Sequence, residues 1–302
     1  MTTPNHRKGR CFENTGPVTG GQSVWREFIA STRHRHVNVG GTVNVMHFAR
    51  QVGEHGRLEK IAHISTAYVC GDREGTIYEN DNSTKCHFSN NYEQSKWEAE
   101  CHVGRFYPDM PVVIFRPSIV VGDSSTGRLS LFNVLYTPLR FVCRGDLPVI
   151  PCRRRTVLDI VPVDYVAGAI CYIIFQAQKA AGKIFHITAG PDNASSIDTI
   201  VARAIDHVNH HDPDRSLTSP RFVSPRLFGA VRRFLPAKAT RLLNFLRIYE
   251  PYISMGKVFD CSNTAAARAL SMNRCFASGS EAASDGMNFR ATSRFRAVSS
   301  AR

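Results

Sequence analysis

The chain has 302 residues, 43% hydrophobic and 21% charged, which excludes a disordered tail, a collagen-like fibre and a disulfide mini-scaffold. Its length allows one large domain or two modest ones, with ample chain to bury a core. Lys and Arg number 38 against 25 Asp and Glu, a formal charge of +13 that favours phosphate-rich partners without choosing among them. The cysteines (11, 70, 86, 101, 143, 152, 171, 261 and 275) contain no C-x-x-C pair, so reduced thiols in a cytosolic compartment are expected. The longest uncharged apolar stretch, residues 165–178, is too short for a bilayer core of about 30 Å. The N-terminus carries basic residues but no apolar signal region. A soluble, cytoplasmic chain is the expectation.

Residues 1–35 are polar, basic and aperiodic. Regular pattern begins at His36, where Val37, Val45, Phe48 and Val52 recur at roughly helical spacing. Residues 61–66 (IAHIST) form an apolar run of strand length that ends in hydroxyls. Residues 71–91 are turn-rich and predict a long loop. Residues 92–106 predict a helix closed by Pro108. PVVIF (111–115) is β-branched and almost wholly apolar, as in strands buried on both faces of a parallel sheet.

Asp164 is the expected N-cap of a helix through YVAGAICYIIFQAQ, and KIFHIT (183–188) is another strand, stopped by Gly190-Pro191. Ser195 with Asp198 predicts a capping box opening a helix through His207. Strands alternating with helices argue for a parallel α/β sheet. After residue 212 the pattern changes. Residues 221–249 carry seven Lys or Arg and no acid, interleaved with Phe, Leu and Val. The last thirty residues are rich in Ser, Ala and Arg and predict disorder.

Ser65-Thr66 at a strand end, followed by Tyr92 and Lys96 four apart on a helix, form the most informative constellation. Spacing of i, i+4 puts two side chains on one helix face. A nearby ammonium favours the phenolate and is expected to draw the tyrosine down from its usual value near 10. Such a phenol can exchange a proton with a carbonyl or alcohol oxygen, which a hydroxyl such as Thr66 can hold. The carboxyl end of a parallel strand is also where open α/β sheets bind ligands.

N-V-G-G-T, S-T-A-Y-V-C-G, Y-E-Q-S-K and R-P-S-I-V-V-G follow one another in chain order over roughly residues 36–190. This order resembles the extended short-chain dehydrogenase/reductases. NNYEQSKWEAE, FRPSIVVGDSSTGRLSLFN, LDIVPVDYVAGAI, KIFHITAG and YISMGKVFDCSNTAAARAL are similar to one branch of them. It contains thioester reductase domains, fatty acyl-CoA reductases and the male sterility-type NAD-binding domain.

The resemblance implies Tyr92 as general acid, Lys96 holding the nicotinamide ribose and Thr66 as hydroxyl partner. Ser65 would face the cofactor, Arg116, Pro117, Ser118 and Ile119 would lie against the nicotinamide, and Asn38 would tie its helix to the sheet. NADPH (or NADH) is the implied cofactor. An acyl-CoA or carrier-bound thioester is the implied substrate, reduced to aldehyde or alcohol. The sequence departs from the family pattern in carrying no G-x-x-G-x-x-G turn for the pyrophosphate. Thr19-Gly20-Gly21 is the nearest approach to one.

The expected architecture is α/β, a Rossmann-type parallel sheet incomplete at its N-terminal edge, with a small C-terminal substrate subdomain. Residues 1–35 form an irregular segment, 36–211 the cofactor domain, 212–272 the substrate or lid subdomain, and 273–302 a tail. Sugar-nucleotide epimerases, dehydratases and hydroxysteroid dehydrogenases share the Tyr-Lys pair and are alternatives. So is a catalytically impaired remnant or binding module. His207, His210 and His211, and the pairs Cys86-His87 and Cys101-His102, lack a full ligand set, so no metal is expected. No nucleic-acid motif accompanies the charge. The basic stretch 221–249 is expected to be a solvated helical lid over an acyl pocket; contact with an anionic membrane surface and an entrance for an acyl carrier or CoA phosphate are its other readings.

Overall fold

β-Branched runs make the sheet. The computed structural model describes residues 34–267, except 82–85, 130–133, 178, 213, 215, 225, 229–233, 247–248 and 255. Thr19-Gly20-Gly21 and the tail therefore lie outside the described residues. Three parallel strands form the central sheet in the order β1 (Ile61–Ile64), β3 (Val112–Pro117) and β8 (Ile184–Ile187). Ile61 is level with Val112, and Ile114 with Ile184. All six residues of β3 are buried, as its apolar sequence requires.

Alternation along β3 divides the core. Val112 and Ile114 pack with Met46, Ala49 and Val103, from helices α1 (Gly41–His55) and α2 (Asn91–Gly104). Val113 and Phe115 pack with Val166 and Ile173 of α4 (Val163–Gln176), the crossover toward β8. The sheet thus separates two apolar layers. Short pairs extend this frame: β2 (Gly75–Ile77) with β11 (Lys257–Phe259), and β4 (Ile119–Val121) with β7 (Ile160–Pro162). β5 (Val149–Ile150) pairs with β10 (Arg221–Phe222), and β6 (Val157–Leu158) with β9 (Ser195–Ser196). Helices α3 (Tyr136–Val142), α5 (Ile197–His211), α6 (Ala237–Leu246) and α7 (Glu250–Ser254) complete the part beyond the sheet.

Several local expectations need correction. The stripe Val37, Val45, Phe48 and Val52 is not a buried face: these residues are 61%, 57%, 66% and 37% exposed. The helix packs through the neighbouring stripe, Met46 and Ala49, so the apolar period marks a face without a neighbour among the described residues. The loop 71–91 contains β2, whose partner lies far along the chain. Asp164 does not cap α4, which is entered from Pro162; its carboxylate instead accepts the N–H and hydroxyl of Ser124, at 2.9 and 2.6 Å. Ser196 rather than Ser195 stands at the start of α5, its hydroxyl bonded to Asp198. Among the described residues no helix is long and apolar enough to cross a membrane.

Two histidines, His186 buried and His63 half-buried, make the fold sensitive to acid. Burial lowers His63 and His186 from the usual 6.5 to about 4. Between those values an unfolded chain takes up protons that the folded chain refuses, so stability falls as pH drops. Each histidine is worth about 3 kcal/mol across that window at most. The carboxyls of Glu79, Glu93 and Asp159 are raised by burial and oppose this over part of the range. We expect the unfolding midpoint to fall on acidification, and a His63→Phe, His186→Phe double variant to flatten the fall. Equal slopes in thermal scans of the two proteins would contradict it.

Candidate active site

The chain leaves β1 at the carboxyl end of the sheet and delivers Ser65 and Thr66 there, both buried. The Ser65 amide donates to the Phe115 carbonyl at 2.7 Å, which extends the parallel ladder by one bond. Thr66 is the N-cap of the short 3-10 turn Ala67–Cys70, its hydroxyl oxygen accepting the Tyr68 N–H at 3.3 Å. The same hydroxyl reaches the Pro117 carbonyl at 3.4 Å, a long bond between the ends of β1 and β3. The Ser65 hydroxyl is buried with no hydrogen-bond partner among the described residues. A buried, unsatisfied hydroxyl is costly, and it leaves one donor and acceptor open at this point.

Helix α2 brings the second half of the constellation. Asn90 is its N-cap: the amide oxygen accepts the Glu93 N–H at 2.9 Å, and Asn90 Nδ2 donates to Glu93 Oε1 at 3.0 Å. This reciprocal box holds the first turn, which carries Tyr92. One turn on, Lys96 Nζ donates to the Ile64 carbonyl at 2.5 Å, directly before Ser65. The ammonium therefore stands at the same strand end as the two hydroxyls. Asn38 reaches α2 rather than the sheet: its Nδ2 donates to Ser95 Oγ at 2.9 Å, and that hydroxyl donates to the Tyr92 carbonyl at 3.0 Å.

Electrostatics here run against the expectation of a lowered phenol. Burial, with the Glu93 carboxylate adding to it, pushes Tyr92 above the usual tyrosine value. Burial also holds the Lys96 ammonium below the usual lysine range, with Glu100 opposing. Partial desolvation disfavours both charges.

The Arg116–Ile119 turn divides by role. Arg116 is buried and engaged by Glu100, with Nε at 3.0 and 3.2 Å from its two carboxylate oxygens. Its Nη1 also donates to the Glu79 and Asp81 carbonyls at 3.3 and 3.5 Å. The guanidinium is thus occupied as a brace between β3, α2 and the 71–91 loop. Pro117 contributes the carbonyl that Thr66 touches, and Ser118 donates its N–H to Ile187 at 3.2 Å. Ile119 donates its N–H to the Asp159 carbonyl at 3.4 Å.

Asp159 escaped the sequence reading, although it lies within LDIVPVD. Its buried carboxylate accepts the N–H groups of Ala189 and Gly190 at 2.9 and 3.2 Å, clamping the exit of β8 beside Ser118 and Ile119. An aspartate just outside a strand has no spacing signal of its own. The nearest cue would have been the polar residue interrupting an apolar run.

Beyond Ile119 opens a cavity of about 370 Å³. Its walls are Val134, Leu135, Leu139, Leu147, Leu158, Ile200, Leu243 and Tyr252, from α3, α5, α6, α7 and the short strands. These side chains lie apart in sequence, which is why no motif announces the cavity. Helix α6 belongs to the basic stretch 221–249, and Ala239 and Leu243 on its inner side are buried.

Comparison with known proteins adds to this geometry. Aldehyde reductase lnaA of Aspergillus flavus is 32% identical over 176 residues, 55% of this chain and 16% of that protein. FrzA of Cladobotryum sp, described as a nonribosomal peptide synthetase, is 30% identical over 249 residues, 78% of this chain and 23% of that protein. The chain thus spans under a quarter of either. The solved terminal R domain of the myxalamid PKS-NRPS pathway superposes with a TM-score of 0.58 at 22% identity. That match covers 80% of this chain and 60% of the R domain, and shows a common fold. Residues 28–170 match the family described as Male sterility protein, a stretch holding Asn38, Ser65, Thr66, Tyr92, Lys96 and the Arg116–Ile119 turn. Over that stretch, a little under half of its length, the chain is similar to the male sterility family of NAD-binding domains.

Proposed function

We propose that the chain carries the catalytic half of an NAD(P)H-dependent reductase of acyl thioesters, or of the aldehydes derived from them. The carrying observation is the bond from Lys96 to the Ile64 carbonyl, which gathers Lys96, Ser65 and Thr66 at one strand end, while the turn that follows (Ala67, Tyr68) packs with Ile119, Leu158 and Tyr252 of the apolar cavity wall. Residues 36–211 hold this centre and residues 212–272 supply much of the cavity wall.

A nicotinamide cofactor fits here at its nicotinamide end. The unpartnered Ser65 hydroxyl and the Lys96 ammonium are donors facing a strand terminus that otherwise leaves them unused by side chains. Ser65 and Lys96 would hold the ribose, and the Pro117–Ile119 backbone would flank the ring; the bound cofactor supplies hydride to the carbonyl carbon. Tyr92, whose phenol partial burial and Glu93 hold above the usual tyrosine value, gives its proton to the oxygen that gains charge. Thr66 exchanges its long bond to Pro117 for the same oxygen and polarises it. The Ser65 and Thr66 hydroxyls are themselves buried, away from bulk water.

An acyl chain is the substrate part the cavity suits, since its walls are largely aliphatic and aromatic. A sugar nucleotide would find few polar partners there. The test is NADPH oxidation by the 302-residue chain with a long-chain acyl-CoA, with thiol and trapped aldehyde measured in parallel. No oxidation with either thioester or aldehyde would refute the reading. Ile200→Trp should raise KM for the long-chain thioester about tenfold, the worth of two displaced methylenes at ~0.8 kcal/mol each. It should leave acetyl-CoA unaffected. Equal effects on both substrates would remove the chain from this cavity.

A further inference from the structure

Tyr252 belongs to two structures at once. Its ring forms part of the cavity wall and packs edge-on against Tyr68, ring centres 5.0 Å apart. Its hydroxyl accepts from Asn90 Nδ2 at 2.9 Å and is also hydrogen-bonded to Glu93, so it joins the capping box of α2. Asn90 and Glu93 bracket Tyr92 in sequence. Glu93 is 1% exposed, and Oε2 also accepts the Ser89 N–H at 3.2 Å. The first turn of α2 is therefore tied to the cavity wall through one phenolic oxygen.

We propose that Tyr252 is a positioning residue: a chain seated in the cavity presses on its ring, and its hydroxyl transmits that fit to the turn that carries Tyr92. The proposal rests on the acyl-reductase reading above. It explains why two buried polar side chains, Glu93 and Tyr252, join the half-buried Asn90 where an apolar wall would suffice, since unsatisfied buried polar groups are costly and these are paired. Long acyl chains that reach Tyr252 would then be reduced faster per bound molecule than short ones. Specificity would appear in kcat as well as in KM.

The test is Tyr252→Phe in the 302-residue chain, which keeps the ring and deletes one hydroxyl. With a long-chain acyl-CoA, kcat should fall about tenfold while KM moves within about twofold, the scale of one lost hydrogen bond. With acetyl-CoA, too short to press on the ring, the fall in kcat should be at least threefold smaller. A second readout needs no turnover: amide exchange of residues 90–95 with a long-chain acyl-CoA thioether as the probe. The parent's exchange should slow about tenfold on binding, and that of the variant should barely change. Equal slowing in both proteins, with equal affinity for the probe, would overturn the positioning role alone. A parent chain that fails to bind the thioether would overturn the acyl reading, and the role with it.

Discussion

If the proposed chemistry holds, Tyr92→Phe should reduce carbonyl turnover by about 10²–10⁴-fold, the usual worth of a positioned general acid. The change deletes one oxygen from α2. The capping box made by Asn90 and Glu93, and the Asn38–Ser95 bond, remain. Helix content and the unfolding midpoint should therefore stay near the parent values while rate is lost. Burial and Glu93 keep the parent phenol protonated, so its rate should be level through neutral pH and fall only in alkali. Steady-state kinetics of the variant decide the matter. Turnover at the parent rate would remove Tyr92 from the chemistry.

Arg116→Met costs about 3–5 kcal/mol of folding stability, because it strands the Glu100 carboxylate in the core. The two side chains are 3% and 8% exposed. Glu100 would lose the Nε bonds at 3.0 and 3.2 Å, and the carbonyls of Glu79 and Asp81 would lose a donor. For a chain of this size the loss should lower the unfolding midpoint by about 10 °C. Arg116→Met combined with Glu100→Leu should recover most of it, since two apolar groups leave no buried charge. A single variant as stable as the parent would show that the pair braces nothing. These two substitutions separate the structural residue of β3 from the helix residue to which the proposed chemistry is assigned.

The central strands are legible in IAHIST, PVVIF and KIFHIT because strands buried on both faces are written as apolar runs. Tyr92 and Lys96 are legible because helical spacing converts directly into a shared face. The Val37–Val52 stripe misleads because periodicity reports an apolar face, not the neighbour that covers it. Arg116 reads from its motif as part of the cofactor site, yet its charge is absorbed by Glu100, sixteen positions upstream. Two-residue strands such as β5 and β6 are too short to show any period. Tyr252 meets Asn90 across 162 positions, a distance at which local pattern carries no information.

The pairing of β2 with β11 also bears on the order in which the chain is made. Lys257 is level with Gly75, and the Glu79 carboxylate between β2 and α2 accepts the N–H of Asn263, 184 positions later. A ribosome would have emitted α1, β1, α2 and β3 well before it reached residues 257–264. Loop closure over such a span is slow, so Glu79 would be clamped after the sheet has assembled. A nascent chain would thus hold α2 for most of synthesis without the strand and turn that fix Glu79 ahead of it. Vectorial synthesis would make that clamp one of the last contacts to form.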